Sequence, residues 1–83
     1  MELRIKEVAK HKGYKMKELS EKLNVSQMAL SFWQTGKREA GYKTLKSIAD
    51  VLNCEVIELL PVGDGYSHFY DDKTGEWLGV RKK

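Results

Sequence analysis

Apolar residues recur every three or four positions from the start of the chain to residue 60, which is the spacing of one buried face of an α-helix. Polar residues and glycine separate these groups, so the pattern predicts five short helices around one core. The apolar positions that define the helices, in chain order, are Ile5, Val8 and Ala9, then Met16, Leu19 and Leu23, then Leu30 and Trp33, then Leu45, Ile48, Ala49 and Leu52, then Val56, Leu59 and Leu60.

Capping and turn residues indicate where these helices begin and end. Asn24 tolerates the left-handed conformation that often ends a helix, and Ser26 is a good N-cap for the next one. We therefore expect a third helix over residues 27–35 that ends at Gly36, and a fifth helix that Pro61 stops. Two short helices joined by about three residues are typical of a helix-turn-helix.

After residue 60 the pattern changes to a stretch rich in aromatic residues and glycine. We expect a helical domain over residues 1–60 and an extension over residues 61–83, in which residues 66–81 form a β-hairpin. The sequence "DKTG" between the strands predicts a type I turn followed by a left-handed glycine. An isolated two-stranded hairpin is marginal in water, so this one is expected to pack on another surface.

The strand register predicted by this turn decides which side chains are left for a partner. Tyr70 is placed opposite Trp77 and Phe69 opposite Leu78, and alternation then predicts that Phe69, Leu78 and Val80 pack on the helices. The other face is predicted to form a homodimer interface and carries Tyr66, Tyr70 and Trp77. In the competing hypothesis the hairpin only caps its own chain, and its aromatic side chains cover the last helix.

Positive charge is concentrated in the first half of the chain. The 83 residues carry a net charge of +3, but residues 1–46 hold eleven Lys and Arg against five Asp and Glu, whereas residues 47–60 hold three acids and no base. Such a distribution is expected of a surface that faces a polyanion, and a solvated lysine-rich surface is the open alternative.

Other features of the composition narrow the class of protein. The single cysteine and the absence of an apolar span or signal region favour a cytoplasmic location. One cysteine and two histidines cannot assemble a zinc site at the usual spacings. No nucleophile–base arrangement or phosphate-binding loop stands out, so we expect neither an enzyme nor a cofactor.

The stretch from Ile5 to Leu60 resembles the phage-repressor family, the Cro and lambda-repressor-like (XRE) helix-turn-helix domains. This resemblance implies a mainly α, five-helix domain, here with a C-terminal β-hairpin extension. Met16 and Lys17 stand where the family usually has a Gln that contacts phosphate, and Lys17 is the candidate to replace it. The segments that carry the resemblance are "IKEVAKHKGY", "KELSEKLNVS", "ALSFWQTGKR" and "TLKSIADVLNCEVIELL".

The resemblance implies that the third helix enters the major groove of double-stranded DNA and reads base edges, while flanking cations bind phosphates. A Gln can pair with adenine, and apolar side chains can pack on a thymine methyl. The base-contact candidates are Gln27, Met28, Ser31 and Phe32. The phosphate-contact candidates are Lys15, Lys17, Lys37, Arg38 and Lys43.

Three binding functions remain open at this stage. The favoured one is a sequence-specific transcriptional regulator, a repressor that binds two-fold DNA sites as a homodimer. A second is the antitoxin of a toxin–antitoxin pair, in which the hairpin binds the toxin. A third is a protein-interaction module on the same fold, whose binding would not fall steeply with salt as DNA binding does.

Overall fold

The computed structural model describes all of residues 1–83, and its helical part contains four α-helices and one 3-10 helix. The prediction of five helices was wrong in its last element, because the segment after Asn53 forms only a 3-10 turn. Asn53 ends the fourth helix in the left-handed conformation (φ 54°), and so few residues remain before Pro61 that an α-helix has little room to form. The elements are α1 (Ile5–His11), α2 (Met16–Leu23), α3 (Gln27–Thr35), α4 (Tyr42–Leu52) and the 3-10 helix (Val56–Leu59).

The boundaries predicted for the helix-turn-helix are confirmed. Asn24 adopts the left-handed conformation (φ 58°) after α2, and the Ser26 hydroxyl accepts a 3.0 Å hydrogen bond from the Ala29 amide at the start of α3. Gly36 ends α3 with a φ of 82°, and a Cβ there would lie 2.8 Å from the Met1 carbonyl oxygen. Only glycine therefore meets both demands at this position, the positive φ and the close approach of the N-terminal backbone.

One apolar core forms where the helices meet. Leu30 is fully buried and fixes the rotation of α3, while Trp33 is half-buried and packs against the edge of this core. The predicted inward direction of both residues is therefore confirmed, although the indole keeps one side near solvent. The core consists of Leu3, Ile5, Val8, Ala9, Leu19, Leu30, Leu45, Ile48, Ala49, Leu52 and Leu59.

The hairpin has the predicted turn and pairs β1 (Tyr66–Tyr70) with β2 (Trp77–Lys82) in antiparallel fashion. The Asp71 amide donates to the Glu76 carbonyl at 2.7 Å, and Gly75 is left-handed (φ 75°) as expected. The backbone amides of Thr74 and Lys73 donate to the Asp71 carboxylate and lower the pKa of that group.

The register beyond the turn differs from the prediction. Tyr70 pairs with Trp77 as expected, but Leu78 is an extra residue in β2, so Phe69 pairs with Gly79 and not with Leu78. Such a bulge shifts every later residue of β2 to the opposite face. Arg81 consequently joins Phe69, with its guanidinium carbon 5.4 Å from the ring centroid.

The hairpin packs on the helices through the face that was predicted to stay free. The Tyr70 hydroxyl donates to the Glu58 carboxyl group at 3.1 Å and accepts from the Arg4 guanidinium at 3.2 Å. Glu58 is 1% exposed, and a buried carboxyl group needs donors. The predictions that Phe69 and Leu78 pack on the helices, and that Tyr70 and Trp77 remain free, were therefore wrong. Val80 pairs with His68 and so lies on the packed face, and Tyr66 shares that face but stays 44% exposed.

A second contact of the same face determines which ring nitrogen of His68 carries the proton. The Trp77 indole N–H donates to His68 Nδ1 at 3.0 Å, and an indole nitrogen cannot accept. His68 Nδ1 is therefore unprotonated, and Nε2 carries the proton that is donated to the Leu60 carbonyl at 2.8 Å. The His11 ring contacts the Tyr70 ring with 4.4 Å between centroids and a tilt of 47°, and this contact completes the attachment to α1.

We expect Tyr70→Phe to lower the free energy of unfolding by about 1–3 kcal/mol, because it removes a hydrogen bond from the buried Glu58. Tyr66→Phe is the matched control. Tyr66 is 44% exposed, so its variant should stay within about 0.5 kcal/mol of the wild type. Chemical denaturation measures both, and equal effects of the two variants would contradict the role of the Tyr70 hydroxyl.

Candidate nucleic-acid interface

The outward face of α3 carries uncharged side chains. Gln27, Met28 and Ser31 are all exposed, and Met28 is 66% exposed although it is apolar. The burial of Leu30 on the other side of the helix holds these three side chains in the solvent. A helix face of this kind offers hydrogen-bonding and apolar contacts without a net charge, which suits base edges in a major groove.

An open groove of about 570 Å³ lies along this face. Gln34 fixes one wall of the groove, because its side-chain oxygen accepts from the Lys6 amide at 3.0 Å and its amide nitrogen lies 3.4 Å from a Glu7 carboxylate oxygen. The Leu3 amide also donates to the Gln34 carbonyl at 2.9 Å. The groove is lined by Lys6, Met16, Gln27, Met28, Ser31, Gln34 and Thr35.

Phe32, the fourth predicted base contact, lies apart from the other three. Its half-buried ring does not line the groove, and it faces two cations instead. Lys37 Nζ is 6.0 Å and the Arg38 guanidinium carbon 5.5 Å from the ring centroid, and the Arg38 amide donates to the Phe32 carbonyl at 3.2 Å. These distances are those of cation–π contacts, so Phe32 holds the loop that carries the two cations.

The predicted phosphate contacts are all exposed and carry unneutralised charge. The two ion pairs of the chain join the terminal amine to Glu39 and Lys46 to Asp50. The cations without an ion pair within the chain therefore include Lys15, Lys17, Lys37, Arg38 and Lys43.

The starts of α2 and α4 differ in what surrounds them. At α2 the Lys15 amide donates to the Glu18 carboxylate at 3.2 Å, so a negative charge already lies at this helix end. At α4 the N-cap is Gly41, which offers no side-chain acceptor, and the neighbouring Tyr42 is 71% exposed. Tyr42 therefore does not pack on the core.

Lys6 is the residue of this surface that the sequence patterns missed. It lies next to the core residue Ile5 on α1, and nothing in the local sequence distinguishes it from the other lysines of that helix. Only the hydrogen bond to Gln34 brings it beside the outward face of α3. Its position depends on a contact between residues 28 positions apart, which a periodicity cannot indicate.

The sequence of the chain is similar to a known family of helix-turn-helix proteins. A family model of the helix-turn-helix, of the XRE, lambda-repressor and Cro-like type, matches residues 5–59, about two thirds of the chain. The chain belongs to this family. No curated protein matches the chain well enough to count as a relative. Membership supports a DNA-binding transcription regulator of the XRE type.

A different surface of this helix-turn-helix protein contains the free cysteine. Cys54 lines a cavity of about 260 Å³ with Lys12 and Trp77, below the hairpin. Burial, followed by the nearby carboxylate of Glu58, raises the pKa of the Cys54 thiol to about 11, so the reactive thiolate is scarce at neutral pH. No cluster of His, Cys, Asp and Glu has the arrangement needed to hold a metal ion, and no helix has the length and apolar character needed to span a membrane.

We expect Phe32→Leu to weaken binding to every DNA duplex by a similar factor of about two to five. The leucine keeps an apolar side chain but loses a cation–π contact of about 0.5–1 kcal/mol, which loosens Lys37 and Arg38. Affinity for duplexes that differ at single positions measures this effect. A loss confined to one base position would instead identify Phe32 as a base contact.

Proposed function

We propose that the protein is a sequence-specific transcriptional regulator that reads the major groove of DNA with α3. The observation that carries this proposal is the exposed and uncharged row of Gln27, Met28 and Ser31, beside cations that no acid of the chain neutralises. Gln27 is the candidate for bidentate pairing with adenine, and Met28 for contact with a thymine methyl. Lys37 and Arg38 hold phosphates and position the helix.

Within this proposal the regulator acts as a repressor. Repression requires only that the bound protein occupies its site and excludes other proteins from it. Activation requires in addition a surface that recruits the transcription machinery. The described surface of α3 supports occupation of a site, so repression is the simpler hypothesis.

The test is selection of bound duplexes from a random DNA pool, followed by measurement of the selected duplex with two variants. Gln27→Ala should cost about 1–3 kcal/mol on the selected site and relax the sequence preference at one position. Lys37→Ala should weaken binding to all sequences and reduce the slope of log affinity against log salt by about 0.9. A uniform loss with Gln27→Ala would show that Gln27 does not read a base.

We also propose that the protein binds DNA as a homodimer through the exposed part of the hairpin. Tyr66 and Leu78 are 44% and 48% exposed, at opposite ends of the hairpin, and a second copy that covers both would bury apolar surface. A second copy is the proposed occupant, because two domains related by a two-fold axis match two half-sites and gain affinity that one domain lacks. An antitoxin that binds a toxin through the same residues is the alternative.

Leu78→Glu should convert the dimer to a monomer, as measured by sedimentation at concentrations well above the DNA-binding constant. Ile57→Glu is the matched control, because Ile57 is 49% exposed but lies on the 3-10 helix. Dissociation by Ile57→Glu alone would move the interface to the helices. A monomeric wild type would refute the homodimer, and binding of a toxin by that monomer, lost with Leu78→Glu, would favour the antitoxin.

A further inference from the structure

We infer that Lys6 of α1 binds a DNA phosphate on the side of α3 opposite Lys37 and Arg38, so that the protein holds both strands that border the major groove. This inference rests on the proposed function. It adds a contact from α1, outside the helix-turn-helix itself, and it assigns the cations on the two sides of α3 to different strands.

The first observation is the place of Lys6 in the groove. Its backbone amide donates to the Gln34 side chain at 3.0 Å, which ties the start of α1 to the last turns of α3. Lys6 therefore lines the same groove as Gln27 and Ser31. The side chain is exposed and has no ion pair within the chain, so its charge is available to an external anion.

The second observation is the angular order of side chains around α3. Successive residues of an α-helix are rotated by about 100°, so Gln34 and Phe32 point about 160° apart around the axis. Lys6 lies against Gln34, whereas Lys37 and Arg38 lie against Phe32. The two groups of cations are therefore on opposite sides of the helix.

The row of predicted base contacts lies between these two sides. Counted by the same rotation, Gln27, Ser31 and Met28 fall in the arc between Gln34 and Phe32. An α-helix with its side chains is about 10–12 Å wide, and the major groove of B-DNA is about 12 Å wide with a phosphate strand on each edge. When the row faces the bases, Lys6 faces one strand and Lys37 with Arg38 faces the other.

The groove also bears on the phosphate contact that the sequence assigned to Lys17. Met16 lines the groove at the start of α2, and a thioether cannot donate a hydrogen bond to phosphate. Lys6 lines the same groove and carries the positive charge there, whereas Lys17 does not line it. Lys6 is thus the better placed of the two lysines to bind the phosphate on this side.

The experiment measures the affinity of the full-length protein for the selected duplex between 50 and 200 mM salt. Lys6→Gln should reduce the slope against log salt by about 0.9, so the fourfold rise in salt costs about threefold less affinity than in the wild type. Lys10→Gln is the matched control, because Lys10 is exposed one turn further along α1 and does not line the groove. A wild-type slope for Lys6→Gln, or the same reduction for Lys10→Gln, would overturn the inference.

Neutral methylphosphonate linkages placed one at a time in the duplex test the assignment of strands. A neutral linkage at a phosphate that Lys6 binds should weaken the wild type but not Lys6→Gln, which has already lost that contact. This linkage should lie on one strand, and the linkage that weakens the wild type but not Lys37→Gln should lie on the other. Both linkages on the same strand would overturn the inference. If the wild type itself shows no salt-dependent binding to duplex DNA, the proposed function fails; if it binds and only Lys6→Gln behaves as wild type, the inference alone fails.

Discussion

The buried carboxyl group of Glu58 determines how the hairpin and the helices fit together. A polar group removed from water needs hydrogen-bond donors, and the donor to the Glu58 carboxyl group comes from outside the 3-10 helix that carries it. Tyr70 of the hairpin supplies it, and burial, the largest effect, raises the pKa of the Tyr70 hydroxyl so that it remains a donor. The hairpin is thus held on its own chain by hydrogen bonds that satisfy buried polar groups.

Arg4 extends this network towards the candidate interface on α3. Its guanidinium donates to the Glu58 carbonyl at 2.7 Å and to Tyr70, and its own amide donates to the Leu59 carbonyl at 2.8 Å. The adjacent Leu3 is buried in the core and donates to Gln34 of α3. The short segment before α1 therefore connects the candidate interface on α3 to the hairpin.

The candidate interface separates two kinds of chemistry in space. Uncharged side chains project from the outward face of α3, and in the proposed function their hydrogen bonds and shape discriminate between bases. In the same proposal the cations at its two sides attract phosphates and supply affinity independent of sequence. The outward side of α3 is free for contacts with DNA because Leu30, on another side of the helix, is buried in the core and Trp33 packs against the edge of that core.

Local sequence determined the elements that depend on near neighbours. The N-cap at Ser26, the left-handed Asn24 and Gly36, and the Asp71–Gly75 turn follow from backbone preferences within a few residues. The same patterns placed Gln27, Met28 and Ser31 on an exposed face, because the period of a helix fixes which residues share a side.

Tertiary structure alone decided the features that depend on distant residues. The extra residue Leu78 reversed the faces of β2, and the polarity of Glu58 selected the face that packs on the helices. The Phe32 ring contacts Lys37 and Arg38. Lys6 lies beside the groove because its amide donates to the side chain of Gln34, 28 residues away. Periodicity indicates which residues of an element share a face. The surface against which that face packs depends on distant residues, through packing and through the hydrogen bonds that buried polar groups need, so it is determined only in the folded chain.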